Sequence, residues 1–379
     1  MKKVCHIISG YYRIDARVFQ RQCKSLQKHG FEVSVLTNDG NPEEIIDGIK
    51  FYSCELTYNS RIKTILNATK QFLQKAKEVD ADVYQLHSPE LFDLGLKLKK
   101  LGKIVIYDAH EDLPRHVQEK EWLPKFFRKP ISFFVEMYMD YVLKRYDYII
   151  TPHSHVVESL KNKINSIELI ANFPLVKSLN NFSYEEYSNR NNVICYTGTV
   201  YPYSNQELLA TVLNSIDDIR YDIAGFIDGY LLNELKKIDT KDVITFHGRI
   251  PWGELPLFYQ KATIGYVLYD YKLNLGYKLG SYGTNKIFEY MEEGLPFICT
   301  DYILWKEICE NYKCGLYVEP GNNFQLQKAI NYLINNKFKA YEMGQNGKQA
   351  VKSVFNWDTQ EVKYVNIFNE FFKKQLNTQ

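Results

Sequence analysis

No run of apolar residues in this 379-residue chain is long enough to span a bilayer, so a helical membrane protein is not expected. Charge of one sign is scarce as well: 47 Lys and Arg stand against 45 Asp and Glu, a formal net charge of +2. That balance argues against nucleic acid as a partner held by bulk electrostatics. Cysteine is sparse and scattered, at Cys5, Cys23, Cys54, Cys195, Cys299, Cys309 and Cys314, with no CxxC pair. Such spacing fits reduced thiols in a cytosolic protein and offers no zinc site. The basic then apolar start, Met1 to Ile8, is too short for a signal peptide and lacks a cleavage pattern, so it reads as a first strand. Also missing are a P-loop, a full GxGxxG and a catalytic triad. His153 and His155 stand close together but have no carboxylate or cysteine at metal-ligand spacing. Neither an internal repeat nor a low-complexity tract occurs.

What the chain has is apolar and aromatic material: 45% hydrophobic and 15% aromatic residues, with 30 Tyr and 22 Phe, enough for a sizeable core. Its length suggests two domains. Apolar runs and helical periodicities alternate from Lys3 onward, with strands expected at 3–9, 31–37, 82–87, 103–108, 148–151 and 166–170 and helices between them. This rhythm implies a parallel sheet with right-handed crossovers. Residues 173–192 are polar and rich in Asn and Ser, which reads as a linker. A second alternation fills 193–356, and an amphipathic tail follows over 357–379. The expectation is α/β: a doubly wound domain over 1–172, a second over 193–356, and a cleft at the carboxyl ends of their strands, where such sheets bind ligands.

The stretch Thr284 to Asp301 organises the second half. Thr284 suits a helix cap, Ile287, Phe288 and Met291 make one apolar stripe, and Gly294 with Pro296 ends the helix before a short buried strand. Lys286 and Glu289 thus lie near a helix start, where free N–H groups and the dipole attract anions. A glutamate there can hold a sugar hydroxyl, so the pair suits a nucleotide sugar. Gly198, in Tyr196-Thr197-Gly198-Thr199, allows a close backbone approach to a phosphate, though many turns need such a glycine. Phe246-His247-Gly248-Arg249-Ile250 can grip a nucleobase edge at Ile250, or is an ordinary tight turn. In the first half, His110 follows an expected strand and either donates to a sugar or phosphate oxygen or satisfies a loop. His87 can touch an acceptor, with Ser88 and Glu90 opening the next helix. In the loop that holds Arg13, Asp15 and Arg17, the two arginines can meet an anionic ligand, or are solvated, or pair with Asp15. Between residues 115 and 145, Trp122, Phe126, Phe127, Phe133 and Phe134 interleave with Lys120, Lys125, Arg128 and Lys129, a pattern suited either to an anionic membrane surface or to helix packing.

These motifs, in this order, resemble glycosyltransferase family 4. The resemblance is carried by Asp15-Ala16-Arg17-Val18-Phe19, His87-Ser88-Pro89-Glu90-Leu91, Tyr107-Asp108-Ala109-His110-Glu111-Asp112-Leu113-Pro114, Phe246-His247-Gly248-Arg249 and Asn285-Lys286-Ile287-Phe288-Glu289-Tyr290-Met291 with Gly294-Leu295-Pro296. It runs from Lys3 to the C-terminal helix. It implies a GT-B fold, two Rossmann-like doubly wound domains facing a central cleft, with the C-terminal helix crossing back to the first. It further implies retaining transfer from a nucleotide-diphosphate sugar, with a UDP-sugar as the expected donor, no cofactor and no metal. The acceptor would be a saccharide or lipid-linked saccharide in surface polysaccharide or glycan assembly. The protein would be cytoplasmic, or peripheral on the inner face of the plasma membrane through 115–145. By carry-over, Glu289 binds the donor ribose, Lys286, Asn285, Gly198 and Thr199 lie by the diphosphate with Arg249 in support, Ile250 meets the base, and His110 contacts the transferred sugar. Arg13, Asp15, Arg17 and His87 fall on the acceptor side. His110 and Lys286 would be the catalytic pair.

Three departures stand out. Ser281 occupies the position of a second family glutamate, Thr199-Val200-Tyr201-Pro202-Tyr203 replaces an Arg and Lys clamp, and Ser9-Gly10-Tyr11-Tyr12 replaces a Gly-Gly pair. The first two motivate one alternative, a non-catalytic partner subunit that kept the fold; a nucleotide-sugar epimerase on the same fold is the other.

Overall fold

The protein is described by a computed structural model covering residues 2–10, 12–54, 61–120, 122–164, 166–176 and 181–376. Two compact units emerge, Met1–Asn172 together with Trp357–Gln379, and Phe173–Asn356.

Among the described residues the first unit carries eight strands: β1 Lys3–Ile8, β2 Glu32–Thr37, β3 Glu44–Ile46, β4 Ile49–Ser53, β5 Val83–Leu86, β6 Ile104–Asp108, β7 Tyr148–Thr151 and β8 Ile167–Leu169. Their order is β3-β4-β2-β1-β5-β6-β7-β8, parallel except for β3 against β4. The strands are buried on both faces, as Val4, Ile7, Val83, Leu86 and Val105 at full burial illustrate. That double burial explains why they read as apolar runs and not as alternations. The β3–β4 hairpin was not expected from the sequence. Its turn is Asp47-Gly48, both at positive φ (50° and 79°), the conformation a two-residue hairpin turn demands. Chain order reverses direction between β1 and β5, so the loops after these two strands border the natural ligand crevice of this sheet.

The second unit holds, among its described residues, a six-stranded parallel sheet: β9 Val193–Thr197, β10 Arg220–Ala224, β11 Ile244–Gly248, β12 Ile264–Val267, β13 Phe297–Thr300 and β14 Gly315–Val318. Here the order β11-β10-β9-β12-β13-β14 puts the reversal between β9 and β12.

The stretch 173–192 corrects the linker reading, although 177–180 lie outside the described residues. Ser183 caps the helix Tyr184–Ser188 with a full capping box, and the buried Tyr187 donates its hydroxyl to Thr263 O at 2.9 Å. Phe173 packs edge-on against Phe288 and Phe355. The polar composition of the stretch masked these aromatic anchors.

The last helix, Trp357–Leu376, belongs to the first unit. Trp357 Nε1 donates to Ser25 Oγ at 2.8 Å, Tyr364 donates to Gln85 Oε1 at 2.7 Å, and Phe368 and Phe372 meet Phe31. Each such buried aromatic contributes about 2–3 kcal/mol by leaving water. Among the described residues no helix is long and apolar enough to cross a membrane.

Candidate active site

In the second unit the strand ends beside the β9/β12 reversal carry most of the expected donor residues. The helix Asn285–Glu292 begins there. Thr284 occupies the cap position, yet its side chain makes no capping bond, which corrects the expected hydroxyl cap. Ile287, Phe288 and Met291 are buried as the stripe requires, and Gly294 ends the helix at φ +69°. With its apolar stripe fixed, the helix turns Lys286 toward β9. A Cβ built on Gly198 would stand 3.1 Å from Lys286 Nζ, so the ammonium lies directly against that glycine. Its Nζ sits 5.0 Å from the Tyr196 ring centroid and 5.9 Å from that of Tyr269, two rings that hold a cation without neutralising it. Among the described residues no carboxylate pairs with Lys286. Beside it, Asn285 Oδ1 is buried with no hydrogen-bond partner among the described residues.

Glu289 is oriented from below. Tyr259 donates its hydroxyl to Glu289 Oε2 at 2.7 Å and stands 2.7 Å from Thr197 Oγ1. Burial, then the carboxylate beside it, pushes the Tyr259 hydroxyl well above its ordinary pKa, so it stays a donor. Three consecutive strand ends are stitched together: Gly198 N–H donates to Ala224 O at 2.8 Å and Gly225 N–H to Gly248 O at 2.7 Å. The approach at Gly225 is so tight that a Cβ there would lie 1.9 Å from Gly198 O. Thr199 follows Gly198, and its carbonyl accepts the Tyr196 hydroxyl at 2.8 Å. Arg249, exposed, and Ile250, half-buried, follow Gly248 at the end of β11. Ser281 is buried, its hydroxyl accepting Gly283 N–H at 2.9 Å and its carbonyl accepting Trp305 Nε1–H at 2.9 Å, so it shapes this loop.

The first unit gathers a different set around Asp108, at the end of β6. Arg17 grips this carboxylate twice, Nε to Oδ2 at 2.9 Å and Nη2 to Oδ1 at 2.7 Å, and Gln22 adds a bond to Oδ2 at 2.7 Å. Burial by itself would raise Asp108, but Arg17 and His110 hold it well below the usual carboxylate range. Arg17 also donates to Ile170 O at 2.9 Å and Asn172 Oδ1 at 2.5 Å. His87 is buried, and burial lowers its pKa against the pull of Asp108. Half-buried His110 stands 3.2 Å from His87 through Nε2 and Nδ1 respectively. His153 Nε2–H donates to His110 O at 2.7 Å, and its pKa falls to about 4 through burial. His87, Asp108 and His110 bring one ligating atom each within 4.8 Å of one another. Asp108 Oδ2 accepts from Arg17 and Gln22 and also lies 3.4 Å from His87 Nδ1 and 3.3 Å from His110 Nε2.

Three acceptor-side expectations are corrected by these contacts. Arg13 spends every donor inside the protein, on Asp39, Glu44, Asn41 O, Pro42 O and Ser53, and is 7% exposed. It ties the loop after β1 to the β3–β4 hairpin. Asp15 is a cap: its Oδ1 accepts from Arg17 N at 2.7 Å and Val18 N at 2.8 Å. Arg17 is the counterion of Asp108. Ser88 leads into the short turn Pro89–Leu91 without a side-chain cap. Sequence reasoning missed Asp108, Tyr259 and His6 as members of these clusters. The available signal was a polar residue inside an otherwise apolar strand, as at His6 and Asp108.

One surface differs from the rest. The helix Lys125–Leu143 buries Ser132, Met139, Val142 and Leu143 but leaves Phe126, Phe133 and Phe134 exposed at 72%, 59% and 67%. Trp122, Phe127, Met137, Tyr138 and Tyr141 are exposed with them.

Two family models match the chain: Glycosyltransferase Family 4 over residues 16–173 and Glycosyl transferases group 1 over residues 177–350. No curated protein matches the sequence. Among solved structures, sucrose-phosphate synthase from Thermosynechococcus elongatus is similar at 16% identity over 99% of this chain and 100% of the other, with a TM-score of 0.76. HepE from Anabaena, in complex with UDP and glucose, is 12% identical over 98% and 100% of the chains, TM-score 0.73. A TarM variant from S. aureus, in complex with fondaparinux, alpha-GlcNAc-glycerol and UDP, is 10% identical over 97% and 100%, TM-score 0.73.

Proposed function

The chain belongs to the GT-B glycosyltransferases of the family 4 type, and from that premise we propose that it transfers a sugar, with retention, from a UDP-sugar to a saccharide or lipid-linked saccharide in surface glycan assembly. The observation that carries the donor assignment is the contact of Lys286 Nζ with Gly198 at the β9/β12 reversal. A diphosphate there would meet the ammonium, the first amides of the helix at Asn285 and the backbone of Gly198 and Thr199. Glu289, oriented by Tyr259, would take the ribose hydroxyls, and Ile250 the base, with Arg249 beside it.

A leaving nucleoside diphosphate gains negative charge as the glycosidic bond breaks. Lys286 is the group placed to stabilise that charge, and stabilisation by a fixed cation in a site of restricted water is worth far more than in bulk solution. We propose that this cation and the surrounding amides do so without a bound metal. His110 meets the transferred sugar. The leaving phosphate takes the acceptor proton on the face it departs from, so the anomeric carbon keeps its configuration.

The exposed aromatic face of Lys125–Leu143, flanked by Lys120, Lys125, Arg128 and Lys129, supports a peripheral seat on an anionic membrane, where a lipid-linked acceptor resides. The cytoplasmic face is the side where nucleotide sugars would be met.

A transfer assay with labelled UDP- and GDP-sugars tests the reading. Label in an acceptor glycan from UDP-sugar is expected. No turnover with any donor, together with no nucleotide binding by calorimetry, would overturn it.

A further inference from the structure

The loop that follows β9 takes no part in the donor site beyond Thr199. Val200 N–H donates to Phe226 O at 2.8 Å, on the β10 side of β9, and the chain then crosses toward β12 through Tyr201 and the short turn Pro202–Ser204. There it is pinned at several points. Ser204 donates to Tyr201 O through both N–H and Oγ–H, at 2.9 and 2.6 Å, and Asp270 N–H donates to Tyr203 O at 2.9 Å. Asn205, held at φ +48°, donates through Nδ2 to Asp270 Oδ1 at 2.9 Å, and its carbonyl accepts the Tyr266 hydroxyl at 2.8 Å.

On this fixed loop two aromatic rings lie flat against each other. Tyr201 and Tyr203 are 5° from parallel with centroids 4.9 Å apart, and Tyr203 meets the buried Tyr269 edge-on at 5.8 Å. Tyr203 covers one face of Tyr201, which is 42% exposed and meets no other ring among the described residues. A ring held in this way loses little freedom when a ligand settles on it. Tyr269 also borders the Lys286 ammonium, its centroid 5.9 Å from Nζ. The stacked pair therefore flanks the phosphate site on the β12 side, away from β10 and β11, where Ile250 has the base.

A ligand suited to this flank has an apolar face and sits one bond beyond the diphosphate. A pyranose has both properties: its axial C–H groups carry the slight positive charge that the face of an aromatic ring attracts. We propose, on the donor site assigned to Lys286 and Gly198, that Tyr201 backed by Tyr203 is a stacking platform for the sugar of the nucleotide-diphosphate sugar. Tyr201 is then a residue that sets recognition of the donor sugar, separately from the groups that hold the nucleotide.

The test is calorimetric titration of the full chain with UDP, UDP-glucose, UDP-N-acetylglucosamine, GDP and GDP-mannose. The quantity read is the Kd of a sugar nucleotide divided by the Kd of its own diphosphate. In Tyr201→Ala that ratio should rise about tenfold for the sugar nucleotide the wild type binds best, while Kd for the bare diphosphate stays within about twofold. Tyr201→Phe keeps the flat ring and should keep the wild-type ratio. Tyr201→Leu keeps apolar bulk over Tyr203 without a flat face, so it should behave as Tyr201→Ala, and it decides alone if Tyr201→Ala does not fold. A ratio unchanged within about twofold in the folded variants overturns the platform. So does an equal loss for diphosphate and sugar nucleotide, which puts the ring against the phosphate or the base, and so does a wild type that binds a diphosphate but none of the sugar nucleotides. A wild type that binds neither kind of ligand overturns the donor reading itself, and the platform with it.

Discussion

Replacing Asp108 by Asn removes one negative charge from the centre of the first unit and leaves almost every atom in place. The carboxylate accepts two bonds from Arg17 and one from Gln22, all between 2.7 and 2.9 Å. In Asp108→Asn the guanidinium of Arg17, 5% exposed, has no counterion, and one Asn N–H faces its former donors. Breaking one side of a buried ion pair costs about 3–5 kcal/mol, because the surviving charge stays desolvated. With a urea m-value of about 2–3 kcal/mol/M for a unit of this size, the midpoint should fall by about 1–2.5 M. Urea denaturation read through hydrogen exchange of β5 and β6 follows the first unit by itself. Asp108 is depressed in the fold, so its stabilisation is complete above the unfolded carboxylate pKa of about 4 and fades as pH falls through the lower folded value. The difference between wild type and variant should therefore be constant from neutral pH down to about pH 5 and shrink only in stronger acid. The double variant Arg17→Met/Asp108→Leu should recover much of the loss, since a buried pair is often replaceable by apolar groups. A midpoint shift under about 0.3 M in Asp108→Asn would refute the ion pair as the organiser of this cluster.

Other outcomes follow from single contacts. Gly225→Ala drives a Cβ to within 1.9 Å of Gly198 O at a backbone φ of +147°, and should lower the thermal midpoint of the second unit and weaken nucleotide binding together, seen by calorimetry. Glu293 is pushed up to about 7 by burial, so it costs stability increasingly as pH rises from its unfolded value through 7. Glu293→Gln should be neutral near pH 4.5 and stabilising by about 1–2 kcal/mol at pH 8, checked by unfolding at both values. Phe126→Ser/Phe133→Ser/Phe134→Ser should reduce co-sedimentation with vesicles containing anionic lipid at least about tenfold, each aromatic being worth about 1 kcal/mol or more at the interface.

Much of the architecture was legible because it is written in local patterns. Fully buried parallel strands announce themselves as apolar runs, and the helix before Gly294 shows both its stripe and its stop. Lys286, Glu289, Gly198 and His110 could be located in the sequence because each sits at or near a strand end or helix start. The β3–β4 hairpin escaped because its strands are short and its Asp47-Gly48 turn is the main signal. Arg13, Asp15 and Arg17 misled for a different reason: a charged triplet in a loop looks the same in sequence whether its partners are a ligand or buried carboxylates far along the chain. Arg17 finds Asp108 ninety-one residues away, and Arg13 finds Asp39 and Glu44. No periodicity encodes such pairings, and the polar composition of 173–192 likewise concealed the contact of Tyr187 with Thr263.

The most direct measurement is calorimetric titration of UDP into the full chain and into Lys286→Ala. The account predicts saturable binding by the wild type and a loss of about 1.5–3 kcal/mol in the variant, roughly 10- to 100-fold in Kd, as removal of one charge-assisted phosphate contact requires. Equal affinity in the two chains, or no binding by the wild type, would contradict it.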